Sequence, residues 1–174
     1  MTHTPANPYC GACRFAKCLR TQHRKGAMKR HGTKPTKEGE LMTADWTIAK
    51  SEVSRGGGGE TVMLNVLDVG CDHVTVHPSV KRDTEAAYDG ILQAYGNRKK
   101  VKFAYIDNAP ELKAACRAHR IPFRTSAPYV HQANGLIESI NKQVLYGTKV
   151  ALEQAGAPPC FWPYAAKHYV FSFH

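Results

Sequence analysis

Between residues 39 and 130 the chain alternates short β-forming runs with stretches of helical period, and this order restricts the fold most. The clearest run is Thr61–Asp68. Its Val62, Met63, Leu64, Val66 and Leu67 read as a buried strand. Leu41–Ala49, with Thr43, Trp46, Thr47 and Ile48, predicts a strand before it. Gly70-Cys71-Asp72 predicts a turn, and Val74–His77 a third strand that Pro78 ends. Asp83–Tyr95 places Ala87, Ile91, Leu92 and Tyr95 at helical spacing, with Gly96 as its stop. Val101–Ile106 predicts a fourth strand. Pro110 and Glu111 then open a helix that buries Leu112, Ala115 and Cys116. Ile121–Phe123 suits a short fifth strand. A long helix follows from Asn134 or Gly135, with Ile137, Ile140, Val144, Thr148, Ala151 and Ala155 as its buried stripe. Gly156 closes it and Pro158-Pro159 forbid its continuation. A final helix, Phe161 to Phe171, is expected to be aromatic and mostly buried. Strands interleaved with helices in this way predict an α/β sheet covered by helices.

Charge divides the chain unevenly. Of its 24 Lys and Arg residues, nine fall within 1–37, where there is no Asp or Glu, so nine of the ten net positive charges sit there. Such an arm favours a polyanion, most simply nucleic acid, through counterion release. No apolar run approaches the ~18 residues of a membrane span, and the N-terminus lacks the apolar stretch of a signal peptide. The expectation is an intracellular protein that is not secreted. Two parts are expected: a basic Cys/His-rich arm at 1–38 and a folded domain at 39–174.

Three acids stand where such a sheet concentrates chemistry. Asp45 lies within the first predicted strand, Asp107 at the end of the fourth, and Glu138 in the first turns of the long helix. Hard divalent cations prefer oxygen ligands. Two such ions, roughly 3.5–4 Å apart, activate an attacking oxygen and stabilise a leaving one in phosphoryl transfer. Asp68 competes for the first position, but it would leave the first strand without a role. It reads instead as a strand-end residue, and Asp72 as a turn residue. On the long helix, Glu138, Lys142 and Lys149 share one face. Spacing alone equally allows an ordinary exposed Glu–Lys pair there.

Tyr105-Ile106-Asp107-Asn108-Ala109-Pro110-Glu111-Leu112 resembles the stretch around the second catalytic acid of retrotransposon integrases, especially the copia type. Thr125 to Glu138, which includes Gln132-Ala133-Asn134-Gly135-Leu136-Ile137-Glu138, is similar to that family's Gln-x-Asn-Gly-x-x-Glu signature. Ala155 to Trp162 resembles the Ala-Gly-Leu-Pro and Phe-Trp segment that follows, and Met42-Thr43-Ala44-Asp45 falls where the family places its first acid. The resemblance covers roughly residues 40–174. It implies an RNase H-like fold: a five-stranded mixed sheet flanked by helices. It implies removal of nucleotides from a DNA 3′ end and strand transfer into target DNA, with no covalent protein intermediate. Asp45, Asp107 and Glu138 would hold Mg²⁺ or Mn²⁺. Gln132, Asn134, Lys142 and Lys149 would meet DNA. The implied partners are element ends, target DNA and further copies of the chain, and the implied place of action is the nucleus. Ile106 stands where the family commonly has Ser, and His131 where it has Pro. The 30 residues between Asp107 and Glu138 are fewer than in many members. The chain is expected to be cut short at its C-terminus, where the family continues.

Cys10-Gly11-Ala12-Cys13 has the bite of two thiolates on tetrahedral Zn²⁺. His3, Cys18 and His23 lie nearby as further candidates. The pattern resembles the incomplete end of an integrase His/Cys zinc module, with His3, Cys10 and Cys13 matching its last three ligands and Cys18 or His23 supplying a fourth. Cys71, Cys116 and Cys160 read as small buried core residues. Trp46, Trp162 and Phe161 read as core, and His77, His119 and His168 as structural or surface residues. Three functions compete: a DNA-integrating polynucleotidyl transferase with endonuclease activity, a catalytically inactive integrase-derived fragment that binds nucleic acid, and, with less support, a general RNase H-type nuclease.

Overall fold

A computed structural model describes residues 9–11, 13, 35–49, 55–97, 101–125 and 135–173. Among these, the strands are β1 (Met42–Ile48), β2 (Val62–Asp68), β3 (His73–Ser79), β4 (Ala104–Ile106) and β5 (Phe123–Thr125). The helices are α1 (Thr84–Tyr95), α2 (Pro110–Ala118), α3 (Gly135–Ala155) and α4 (Trp162–Phe173), the last preceded by a 3₁₀ turn at Pro159–Phe161. The strands form one mixed sheet in the order β3-β2-β1-β4-β5. β1, β2 and β3 pair antiparallel, while β4 runs parallel to both β1 and β5.

Alternation along β1 and β2 divides the core. Met42, Ala44, Trp46, Leu64 and Val66 pack with α1 and α2 on one face. Met63, Leu67, Val74 and Val76 pack with Ile137 and Val144 of α3 and with Ala166, Tyr169 and Val170 of α4 on the other. Each face is thus covered by helices, as a sheet with two apolar sides requires. Asp83 caps α1, its carboxylate accepting the Ala86 N–H at 2.9 Å. Gly96 at φ 64° ends that helix.

Several expectations need correction. Pro78 does not end β3 but lies inside it, opposite Met63. β3 is an edge strand, so a residue without an N–H is tolerated there. β4 is shorter than predicted, and β5 begins two residues later than predicted. Ala155 is exposed, whereas Gly147 and Val150 are buried on α3. α4 and the 3₁₀ turn before it are less buried than their aromatic content suggests: Phe161, read as core, is exposed, as are Tyr164 and Phe171. Of the three scattered cysteines only Cys116 is buried; Cys71 is exposed and Cys160 half-buried. Burial pushes the Cys116 thiol up to about 11. The glycine run at 56–59 is held by a hydrogen bond from the Gly57 N–H to the Cys160 carbonyl.

Asp68 is buried at 3% exposure and holds backbone rather than chemistry. Its two oxygens accept the N–H groups of Gly39 at 2.6 Å and Gly70 at 2.8 Å. The carboxylate therefore fastens the segment leading into β1 to the β2–β3 turn. Asp68→Ala leaves both donors without that acceptor and should cost roughly 2–4 kcal/mol. Urea denaturation checks this. A midpoint equal to wild type would refute the role.

Candidate active site

β1 and β4 lie side by side in parallel, with Ala44 opposite Ile106. The next residue on each strand is an acid: Asp45 lies in the middle of β1, and Asp107 follows the last residue of β4, so the two are neighbours where β4 ends beside β1. Both are half-buried. The Asp45 carboxylate accepts the Trp46 N–H at 2.8 Å on Oδ1 and the Asn141 side-chain amide at 2.7 Å on Oδ2. Asp107 Oδ1 accepts the Asn108 N–H at 2.7 Å, and Asn108 Oδ1 accepts Lys113 Nζ at 2.9 Å.

Burial pushes the Asp45 carboxyl above the usual carboxylate range. The Trp46 N–H and the Asn141 amide pull it back, the like charge of Asp107 adds to the push, and Arg82 opposes it. Arg82 Nε is itself paired with Glu111 in the first turn of α2. That contact ties the approach to α1 to the start of α2 across the end of the sheet that carries the two acids.

Glu138 lies in the first turn of α3 and is exposed, as are Lys142 and Lys149. Asn141, one turn beyond Glu138, is the α3 side chain that reaches Asp45. Among the described residues, no three His, Cys, Asp or Glu side chains stand close enough together to hold one metal ion. The arrangement therefore brings Asp45 and Asp107 together, with an amide of α3 rather than Glu138 against them. The pair still fits a hard divalent cation. Both donors are carboxylate oxygens, and their burial and mutual repulsion are what a bound cation would relieve.

Gln132, Asn134, His3, Cys18 and His23 lie outside the described residues. Cys10 is half-buried and Cys13 buried. The Tyr146 hydroxyl makes a long 3.5 Å contact to the Cys13 carbonyl, which sets this pair beside α3.

Sequence reasoning missed three residues: Asn141, Arg82 and Asn65. Asn65 is fully buried, and its Nδ2 donates to Asn141 Oδ1 at 2.8 Å and Thr47 Oγ1 at 2.9 Å. Its signal was visible as a lone amide in the middle of the apolar run Val62–Leu67.

No protein-family model and no curated protein matches the chain. Its fold is similar to that of a chain in the cryo-EM structure of a simian T-cell lymphotropic virus intasome in complex with the PP2A regulatory subunit B56 gamma. The TM-score is 0.64 at 19% identity, over 94% of this chain and 56% of that one. The chain thus spans little more than half the length of the one it matches. Likeness at this level concerns the fold, which is RNase H-like.

Proposed function

We propose that the chain is the catalytic core of an integrase-type polynucleotidyl transferase, which trims a DNA 3′ end and joins it to a target strand. The observation that carries this reading is Asp45, within β1, beside Asp107, just past the end of the adjacent parallel strand β4, with Asp45 braced by Asn141 of the helix that bears Glu138. The likeness to an intasome chain supports the same class.

In this reading Asp45 and Asp107 hold Mg²⁺ or Mn²⁺, and Glu138 supplies the third carboxylate. When bound, the metal provides Lewis acidity at the phosphate and makes the attacking oxygen a better nucleophile. The protein's own part is positional. The Trp46 N–H and the Asn141 amide fix the two Asp45 oxygens, so little reorganisation remains when charge develops. Lys142 and Lys149 extend along the same helix as cations for the phosphate backbone, and Gln132 and Asn134 would contact the DNA end. The basic arm adds affinity without sequence preference. Zn²⁺ held by His3, Cys10, Cys13 and Cys18 would order that arm. The chain would act on DNA as a homo-oligomer, in the nucleus.

Single-turnover nicking and strand transfer on a labelled oligonucleotide with Mn²⁺ test the proposal, comparing wild type with Glu138→Gln. Metal-dependent product is expected from wild type, with a loss of roughly a hundredfold or more in the variant. A folded wild-type protein that binds DNA and yields no product would overturn the enzyme in favour of an inactive nucleic-acid-binding fragment.

A further inference from the structure

We infer that Asn65 is a positioning residue for the acidic pair: acting through Asn141, it fixes which end of that side-chain amide faces Asp45. The inference rests on reading Asp45 as a metal-holding acid.

Asn65 stands directly opposite Asp45 across the β1–β2 pair, on the face that α3 covers. It is completely buried. Both of its accepting partners, Thr47 Oγ1 and Asn141 Oδ1, are engaged through its Nδ2. A primary amide is nearly symmetric in shape, so packing alone does not choose its orientation. Because Asn65 donates to the oxygen of Asn141, only the nitrogen of Asn141 is left to turn toward Asp45, and it does so at 2.7 Å. The opposite orientation would set a carbonyl oxygen against a carboxylate. Asn65 thus works from behind, as an outer-shell group that orients the group touching the acid.

The arrangement carries a cost that packing does not explain. Asn65 Oδ1 is buried with no hydrogen-bond partner. An apolar residue of similar size would leave no such orphan. The strand therefore tolerates a destabilising atom at the position from which Asn141 is aimed. The same bond links α3 to the sheet, one turn from Glu138 and next to Lys142. Asn65 therefore also sets where that part of the helix lies over Asp45.

The test is Asn65→Leu in the full chain, with Asn65→Val as a second variant suited to a buried strand. Three readings are taken: thermal stability, Mn²⁺ affinity by titration of free Mn²⁺, and the NMR signals of the Asn141 side-chain amide, assigned by their loss in Asn141→Leu. The melting temperature is expected to hold or fall modestly: the orphaned oxygen is gone, but Thr47 Oγ1 and Asn141 Oδ1 lose their donor. Mn²⁺ affinity should fall by roughly 10–100-fold. The Asn141 amide signals should shift and exchange faster with solvent. Asn65→Leu combined with Asn141→Leu should lose no more affinity than Asn141→Leu alone, because one residue acts through the other. Lower stability with unchanged Mn²⁺ affinity would make Asn65 merely structural and overturn the inference. A wild type that takes up no Mn²⁺ would fell the proposed enzyme. Independently of that, Asn141 signals unmoved by either Asn65 variant would overturn the positioning role of Asn65.

Discussion

Asp107→Asn should abolish metal-dependent strand cleavage, by roughly a thousandfold or more, while leaving the protein at least as stable as wild type at neutral pH. The two halves of this result share one cause. Asp107 raises the proton affinity of Asp45 by like-charge repulsion, added to the larger effect of burial. A carboxyl whose folded-state proton affinity exceeds its unfolded one stabilises the fold when protonated. That contribution is complete below the unfolded value and is lost as pH rises through the folded one. The repulsion that raises Asp45 therefore costs stability once pH has risen through its folded-state value, and replacing Asp107 by a neutral amide recovers part of it. The amide retains the oxygen that accepts the Asn108 N–H, so the turn after β4 keeps its bond. Thermal melts at pH 7 and near pH 3 provide the check. The gain should appear at the higher pH and shrink at the lower, where the Asp45 carboxyl is protonated. Loss of stability at both, or cleavage at the wild-type rate, would refute the assignment.

Gly147→Ala should destabilise the protein by roughly 1–3 kcal/mol, although Ala is the better helix former by about 1 kcal/mol. A Cβ at Gly147 would overlap the ring of Tyr169, which is buried where α3 and α4 meet. Tyr169 packs among Val144, Ala166 and Val170 and lies against Phe173, so its ring cannot withdraw without disturbing that layer. Urea denaturation gives the magnitude, and a cycle with Tyr169→Leu identifies the cause. In the Tyr169→Leu background the Gly147→Ala penalty should shrink or reverse. An undiminished penalty would place the strain elsewhere.

How much was legible in the sequence depended on how local each signal was. Asp45 and Asp107 were legible because one lies within a β-forming run and the other just after one, and parallel pairing of those runs brings them together. Glu138 was placed correctly in the first turn of its helix, but its distance from the pair was not readable. That distance depends on how α3 sits over the sheet, which no spacing within α3 records. The asparagine chain was hidden for the same reason. Asn65 opposes Asp45 only through the register of β1 on β2, and Asn141 meets both only through helix-on-sheet packing. Apolar content overstated the burial of α4, since single exposed aromatics are ordinary on a protein surface. Pro78 was read as a stop because its place at the sheet edge follows from strand order, which lies outside the local sequence.

The position of Pro78 also bears on solubility. A sheet edge is a template for foreign strands in proportion to its run of unpaired N–H and C=O groups. β3 interrupts that run with a residue that has no N–H, and the opposite edge, β5, is only three residues long. Neither border offers the long, regular ladder that edge-to-edge aggregation needs.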